Sequence, residues 1–182
     1  DEMLKDDCQW WVRRFQNMSQ FFDAYRIDHV LGFFRIWEIP TDSVHGLLGQ
    51  FSPSQAMSRE EIAQYGFHFQ EQRFTEPFIT DWVLDRIFHE RADEVRQTYL
   101  ERIDGERYRM KAEVDTQRKI EARFAKTTCQ KDLWLRDRLY ALVSDVLFVR
   151  DRRDPNMFHP RISAQLDFIY ESLYDNDKAA FN

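Results

Sequence analysis

The chain has 182 residues, and its 26 basic side chains face 32 acidic ones, a formal net charge of −6 that argues against general electrostatic affinity for nucleic acid or anionic lipid. A hydrophobic fraction of 43% with 15% aromatic residues excludes a disordered chain. No apolar run approaches the roughly 20 residues of a membrane helix, and the length is below the roughly 200 residues that a complete eight-stranded α/β barrel needs. Five glycines and five prolines are few for this length, so turns are scarce and helices should dominate. The acidic start DEMLKDD has neither an initiator Met nor an apolar signal core, and SLYDNDKAAFN stops without a capping glycine. The expectation is a chain cut at both ends, without a secretory leader.

In chain order, Trp11, Phe15, Met18 and Phe22 recur at helical spacing, predicting a helix over 7–22 with Asp6 or Asp7 as its cap. The period then falls to two, with Tyr25, Ile27 and His29 alternating against Ala24, Arg26 and Asp28, which predicts a short strand. An apolar loop or extended run follows Gly32 as far as Pro40. Residues 41–53 hold two of the five glycines and no firm period, predicting a surface loop and a change of organisation. Ser58 and Glu61 have the spacing of a capping box, opening a short helix through Tyr65. After a second loop, a longer helix is predicted over 79–100, with Trp82, Val83, Ile87, Val95 and Tyr99 in its buried stripe. Further helices are predicted over 106–126, 130–147 and 162–174. The second of these passes into a short apolar strand from Val146 to Val149, and DRRDPNMFHP is read as a loop.

The alternation puts Arg26 and Asp28 on one strand face, about 7 Å apart along the backbone. On an exposed strand this is an ordinary solvated pair. The flanks Phe21, Phe22, Ile27, Val30, Leu31, Phe33 and Phe34 are apolar, however, so the strand reads as buried. A buried carboxylate stays ionised only beside a partner such as guanidinium, which does not deprotonate. An ionised, partly desolvated carboxylate is what a covalent nucleophile requires. A structural ion pair with no catalytic role accounts for the same residues.

The run QWWVRRFQNMSQFFDAYRIDHVLGFFRIWEIP, residues 9–40, resembles the segment around the catalytic aspartate in glycoside hydrolase family 77, the amylomaltases or disproportionating enzymes. The resemblance is carried by Trp10-Trp11, the FDxxRIDH core from Phe22 to His29, Gly32-Phe33, and Trp37-Glu38-x-Pro40. Val30-Leu31 stands where many amylomaltases carry Phe-Arg, which points away from the simple bacterial enzymes. The resemblance implies that Asp28 is the nucleophile at the end of a barrel strand and that Arg26 holds it charged and aimed. It implies that His29 binds glucose hydroxyls, and that an α-1,4-glucan or maltodextrin reacts with net retention and without cofactor or metal. The acid/base carboxyl of that reaction, about 5–5.5 Å from the nucleophile, is not found in this sequence. Glu38 is a tempting candidate, but it lies in the Trp-Glu-x-Pro segment and not in the family's acid/base motif. In ordinary amylomaltases that motif follows the nucleophile closely, whereas none follows Asp28 as far as Asn182, and so long a spacer resembles the plant cytosolic type. Cys8 and Cys129 signal neither a disulfide framework nor a zinc site, so a reduced cytoplasmic setting is expected.

The fold class expected is therefore mainly α with one or two short strands: a fragment of an (α/β)8 TIM barrel plus a helical insertion domain. Residues 1–44 would be the barrel fragment, 45–160 the insertion and 161–182 a return helix towards the barrel. The partners implied are a glucan and the remainder of the parent barrel, with no nucleic acid and no membrane, and the fragment alone would be inactive. Two alternatives are a helical interaction module with a structural Arg–Asp pair, and an amylase-clan hydrolase. The mixed charges between residues 101 and 126 read as a solvated helix face. His45, His68, His89 and His159 lack metal-ligand spacing. Cys8 and Cys129 are expected to be buried apolar fillers, and Trp82, Trp134 and Tyr99 core residues more readily than glucan-stacking ones.

Overall fold

The structure is a computed structural model that describes residues 4–182. Packing divides the chain into two compact units, one ending at Phe34 and the other Arg35–Asn182.

The first unit holds helix α1, Gln9–Met18, and a 3-10 turn, Val30–Phe33. The amide of Gln9 at the helix start donates to Asp6 Oδ1 at 3.3 Å, a carboxylate at the positive end of the helix. Trp11 stacks on Phe15 with ring centroids 5.6 Å apart, and Phe15 on Tyr25 at 5.1 Å. None of residues 4–34 is buried. The expected strand over 24–30 is absent: residues 24–29 carry no regular secondary structure. Alternation shows only that a segment can serve as a strand. Its amides also need a neighbouring strand, and none of the described residues pairs with them.

The second unit begins with β1, Ile36–Glu38, antiparallel to β2, Gln50–Ser52. The indole of Trp37 donates to the Gly46 carbonyl at 3.0 Å. Glycine is required at position 49 because a Cβ there would lie 2.4 Å from the same indole nitrogen. Helix α2, Arg59–Gln64, opens on the expected capping box, with Glu61 N donating to Ser58 Oγ at 3.2 Å and Ser58 N to Glu61 Oε2 at 2.7 Å. A short helix α3, Glu71–Thr75, lies within the expected second loop.

The predicted helix over 79–100 is two helices, α4, Asp81–Phe88, and α5, Ala92–Tyr99. His89, at φ 49° and ψ −122°, breaks the run. Asp81 and Arg96 would stand about 22 Å apart on a straight helix, yet Arg96 Nε donates to Asp81 Oδ1 at 2.8 Å. The break folds α5 back on α4 so that Val83, Leu84, Ile87, Phe88, Val95 and Tyr99 share one core.

The expected helix over 106–126 is also corrected. Strands β3, Leu100–Asp104, and β4, Arg107–Met110, form an antiparallel hairpin around Gly105, whose φ is 38°. Asp104 pairs with Arg107, so the two-residue turn is Gly105-Glu106, with glycine at its first central position. Only α6, Gln117–Phe124, is helical in that span, with Thr116 as its N-cap. It packs on α7, Gln130–Val143.

Strand β5, Phe148–Arg150, overlaps the short strand expected to end at Val149 and pairs with β6, Phe158–Pro160, which lies in the segment expected to be loop. The last predicted helix, 162–174, is instead a 3-10 turn, Ala164–Leu166, and a short helix α8, Phe168–Glu171, and a further helix, α9, Asp175–Phe181, follows it. The described residues thus hold three two-stranded antiparallel pairs, where one or two strands are expected from the sequence. The helix-rich character holds.

Two apolar clusters fill this unit. One joins α4 to α7 with the β3–β4 hairpin, and the other joins α2, α3, the β5–β6 pair and α8. Tyr99 is buried, whereas Trp82 and Trp134 are about one-third exposed, at 37% and 36%. Cys129 is exposed and Cys8 half-buried, so neither is the buried filler expected. Cys129 precedes α7, and Cys8 precedes α1 in a unit without a core.

Candidate active-site segment and its relatives

The stacking of α1 on Tyr25 anchors the start of the segment that carries Arg26, Asp28 and His29. Arg26 Nη2 donates to Asp28 Oδ1 at 3.1 Å, so the two charges meet as their spacing implies. Both side chains are 87% exposed, which corrects the expectation of a buried pair. The apolar flanks are exposed as well, Phe21 at 78% and Leu31 at 71%, because a unit of this size closes no core over them.

His29 has a left-handed backbone, φ 54°, and its carbonyl accepts from Gly32 N at 3.0 Å. A Cβ on Gly32 would lie 2.6 Å from His29 Cδ2, so the missing side chain is what lets the imidazole lie over the turn. The ring hydrogen-bonds to neither Arg26 nor Asp28. The three residues therefore form a contiguous exposed edge that offers a carboxylate, a guanidinium and an imidazole. Glu38 lies on β1, with Arg152 Nη1 at 3.9 Å. Among the described residues, no group of three or more His, Cys, Asp or Glu side chains could hold a metal ion, and no helix is long and apolar enough to cross a membrane.

A buried charged cluster centres on Asp145 and Arg161. Asp145 follows α7 and is 3% exposed. Its Oδ1 accepts from Ile169 N at 3.0 Å, and its Oδ2 has no hydrogen-bond partner. Burial pushes its carboxyl up to about 6, against the opposing pull of the Ile169 amide and of Arg161. Arg161, also 3% exposed, donates to Val146 O at 2.8 Å and Ile162 O at 2.9 Å and meets the Asp167 carboxylate. The signal available in the sequence was a lone Asp inside the apolar run from Leu142 to Val149.

His159 and Asp151 pair at 2.8 Å. Burial alone would raise the Asp151 carboxyl, but the bonds from His159 and from the amides of Asp154 and Arg153 hold it below the usual carboxylate range. Gln117, 1% exposed, accepts from Val44 N at 2.7 Å and His45 N at 2.8 Å. Its amide nitrogen donates to Ser144 Oγ at 2.8 Å, which ties the loop after β1 to α6 and α7.

A family model described as 4-alpha-glucanotransferase, glycoside hydrolase family 77, matches residues 1–145. The chain belongs to this family. It is 34% identical over 184 aligned residues to the 4-alpha-glucanotransferase DPE2 of Oryza sativa subsp. japonica, covering 98% of this chain and 19% of the rice protein. Shorter stretches match the chloroplastic/amyloplastic 4-alpha-glucanotransferase of Solanum tuberosum, 43% identical over 27% of this chain and 8% of that protein. The 4-alpha-glucanotransferase of Aquifex aeolicus is 40% identical over 36% of this chain and 14% of its own length. The chain thus spans about a fifth of the rice relative. No solved structure matches it.

Proposed function

We propose that this chain is part of a longer 4-α-glucanotransferase and carries its nucleophile, Asp28. The carboxylate attacks the anomeric carbon of an α-1,4-glucan or maltodextrin, the glycosidic oxygen leaves, and a glycosyl-enzyme forms. The 4-hydroxyl of a second sugar then displaces the carboxylate, so two inversions give net retention. Arg26 holds Asp28 ionised and aims it, and His29 donates hydrogen bonds to the bound glucose. The acid/base carboxyl comes from outside this chain, whose own transfer activity is nil. Residues 1–44 belong to the barrel, 45–160 to a helical insertion and 161–182 to the return towards the barrel, in a cytoplasmic enzyme.

The observation that carries the reading is the 3.1 Å contact between Arg26 and Asp28 within a chain of this family. The exposed apolar residues on either side support it: Phe21, Phe22, Ile27, Leu31 and Phe34 are the surface that neighbouring barrel strands and helices would cover, drying the carboxylate as they do so. In the longer enzyme, Asp28→Asn is expected to lower glucose release from maltose by at least a thousandfold while leaving the protein folded. Activity within a few-fold of wild type would remove Asp28 from the chemistry. Release of glucose by the 182-residue chain alone would show that the acid/base group is not external.

A further inference from the structure

The chemistry proposed for Asp28 gives no part to Trp11, Gly32 or Phe33, although all three stand in the same segment, residues 9–40. Among residues 4–34, only Cys8, Trp11, Phe15, Met18 and Gly32 are half-buried, and all the others are exposed. The first four recur at steps of three, four and three along α1 and the residue before it, which is one face of a helix.

That face holds both ends of the segment that carries Arg26, Asp28 and His29. Before it, the ring of Tyr25 stacks on Phe15, with centroids 5.1 Å apart and planes inclined by 22°. After it, the ring of Phe33 leans on Trp11 at 5.0 Å and 47°. Trp11 and Phe15 stack on each other at 5.6 Å, about one helical turn apart, so the two ends of the segment are pinned side by side. The backbone supplies no comparable hold. Residues 23–28 make no backbone–backbone hydrogen bond with any described residue. Only past Asp28 does the chain close on itself, where Gly32 N donates to His29 O at 3.0 Å and the turn carries the chain round to Phe33.

We infer that Trp11 and Phe15 are positioning residues for the nucleophile. By gripping Phe33 and Tyr25 they fix the two ends of the Asp28 segment on one helix face, and so set where the carboxylate stands. This role rests on the assignment of Asp28 as the nucleophile. Phe15 is engaged by two near-parallel rings, Trp11 and Tyr25, which makes it a packing group and not a ligand contact. A helix hydrogen-bonded throughout is a firm support, whereas a segment without a ladder takes its place from what its side chains touch. Misplacing a reacting group by about 1 Å costs about a hundredfold in rate. Leucine at these positions keeps an apolar side chain but offers no ring face to stack on.

The test is steady-state transfer kinetics in the longer enzyme. Phe15→Leu and Trp11→Leu should each lower kcat for glucose release from maltose by at least about tenfold, with KM within about twofold of wild type. Phe15→Tyr, which keeps the ring, should stay within about twofold of wild type in both constants. In a Tyr25→Leu background, Phe15→Leu should lower kcat by no more than about twofold further, because the ring it would release is already gone. A smaller loss of kcat in either leucine variant, a Phe15→Tyr enzyme as impaired as Phe15→Leu, or effects at Phe15 and Tyr25 that simply multiply would each overturn the inference. The 182-residue chain gives a reading that needs neither activity nor the folding of a longer variant. Nuclear Overhauser contacts from Phe15 to Tyr25 and from Trp11 to Phe33 are expected there, and the absence of either would overturn it as well. A failure of the nucleophile assignment shows instead as activity retained in Asp28→Asn, and leaves these ring contacts and the coupling of Phe15 to Tyr25 unchanged.

Discussion

Asp145 and Asp28 are both carboxylates near an arginine, yet their surroundings make them opposite in character. Asp145 is enclosed, with one oxygen unpartnered and its carboxyl raised to about 6. A carboxyl raised on folding binds its proton more tightly in the folded state. It therefore contributes stability below its unfolded value near 4 and loses that contribution as pH rises through about 6. Between pH 5 and 7 the loss amounts to about 1 kcal/mol. Urea unfolding of the 182-residue chain at those two pH values should show wild type less stable at the higher one, and Asp145→Asn should flatten the difference. An unchanged slope in the variant would place the titration on another group. Asp151 has the reverse sign: its carboxyl is held low, so its contribution is present at neutral pH and lost in acid, below the window in which Asp145 is read.

Among the elements, those written in local chemistry were legible in advance. The capping box of α2 needs only Ser58 and Glu61 three residues apart, and both reciprocal bonds form. Ser58→Ala should cost about 1 kcal/mol, measured as a shift in the unfolding midpoint. Ser58→Asp should recover most of that, because a carboxylate accepts the same amide proton. The α4–α5 break was not legible, since 79–100 carries a continuous helical stripe and its departure is enforced by contacts between residues far along it. Arg96 holds Asp81, Asp85 and Asp93 at once, with burial opposing its charge while the bonds to Asp85 and Asp81 drive its proton affinity above the ordinary guanidinium value. The β3–β4 hairpin could have been found, because Gly105-Glu106 is a turn signal. The many charges around it, set out on the exposed face of the pair, were read as a helix surface instead.

For the whole molecule, the two units differ in how they are held together. All the residues of both apolar clusters lie between Val44 and Phe181, and residues 4–34 contribute no buried side chain. A chain of residues 35–182 is therefore expected to fold alone, melting cooperatively within a few degrees of the 182-residue chain. A loss of more than about 10 °C would show that the first unit supplies packing that its exposure does not suggest.

The membership of the chain was readable from residues 9–40, because the groups that would do chemistry on a sugar must stand in a set order along one segment whatever surrounds them. Helix content and the α2 cap were readable for a similar reason, as they depend on neighbours three or four positions away. Burial was not readable. The apolar flanks that suggested an enclosed Arg26–Asp28 pair lie open, and the lone Asp145 in an apolar run is enclosed, because removal from water depends on which distant segments pack overhead, and only the tertiary structure brings those together.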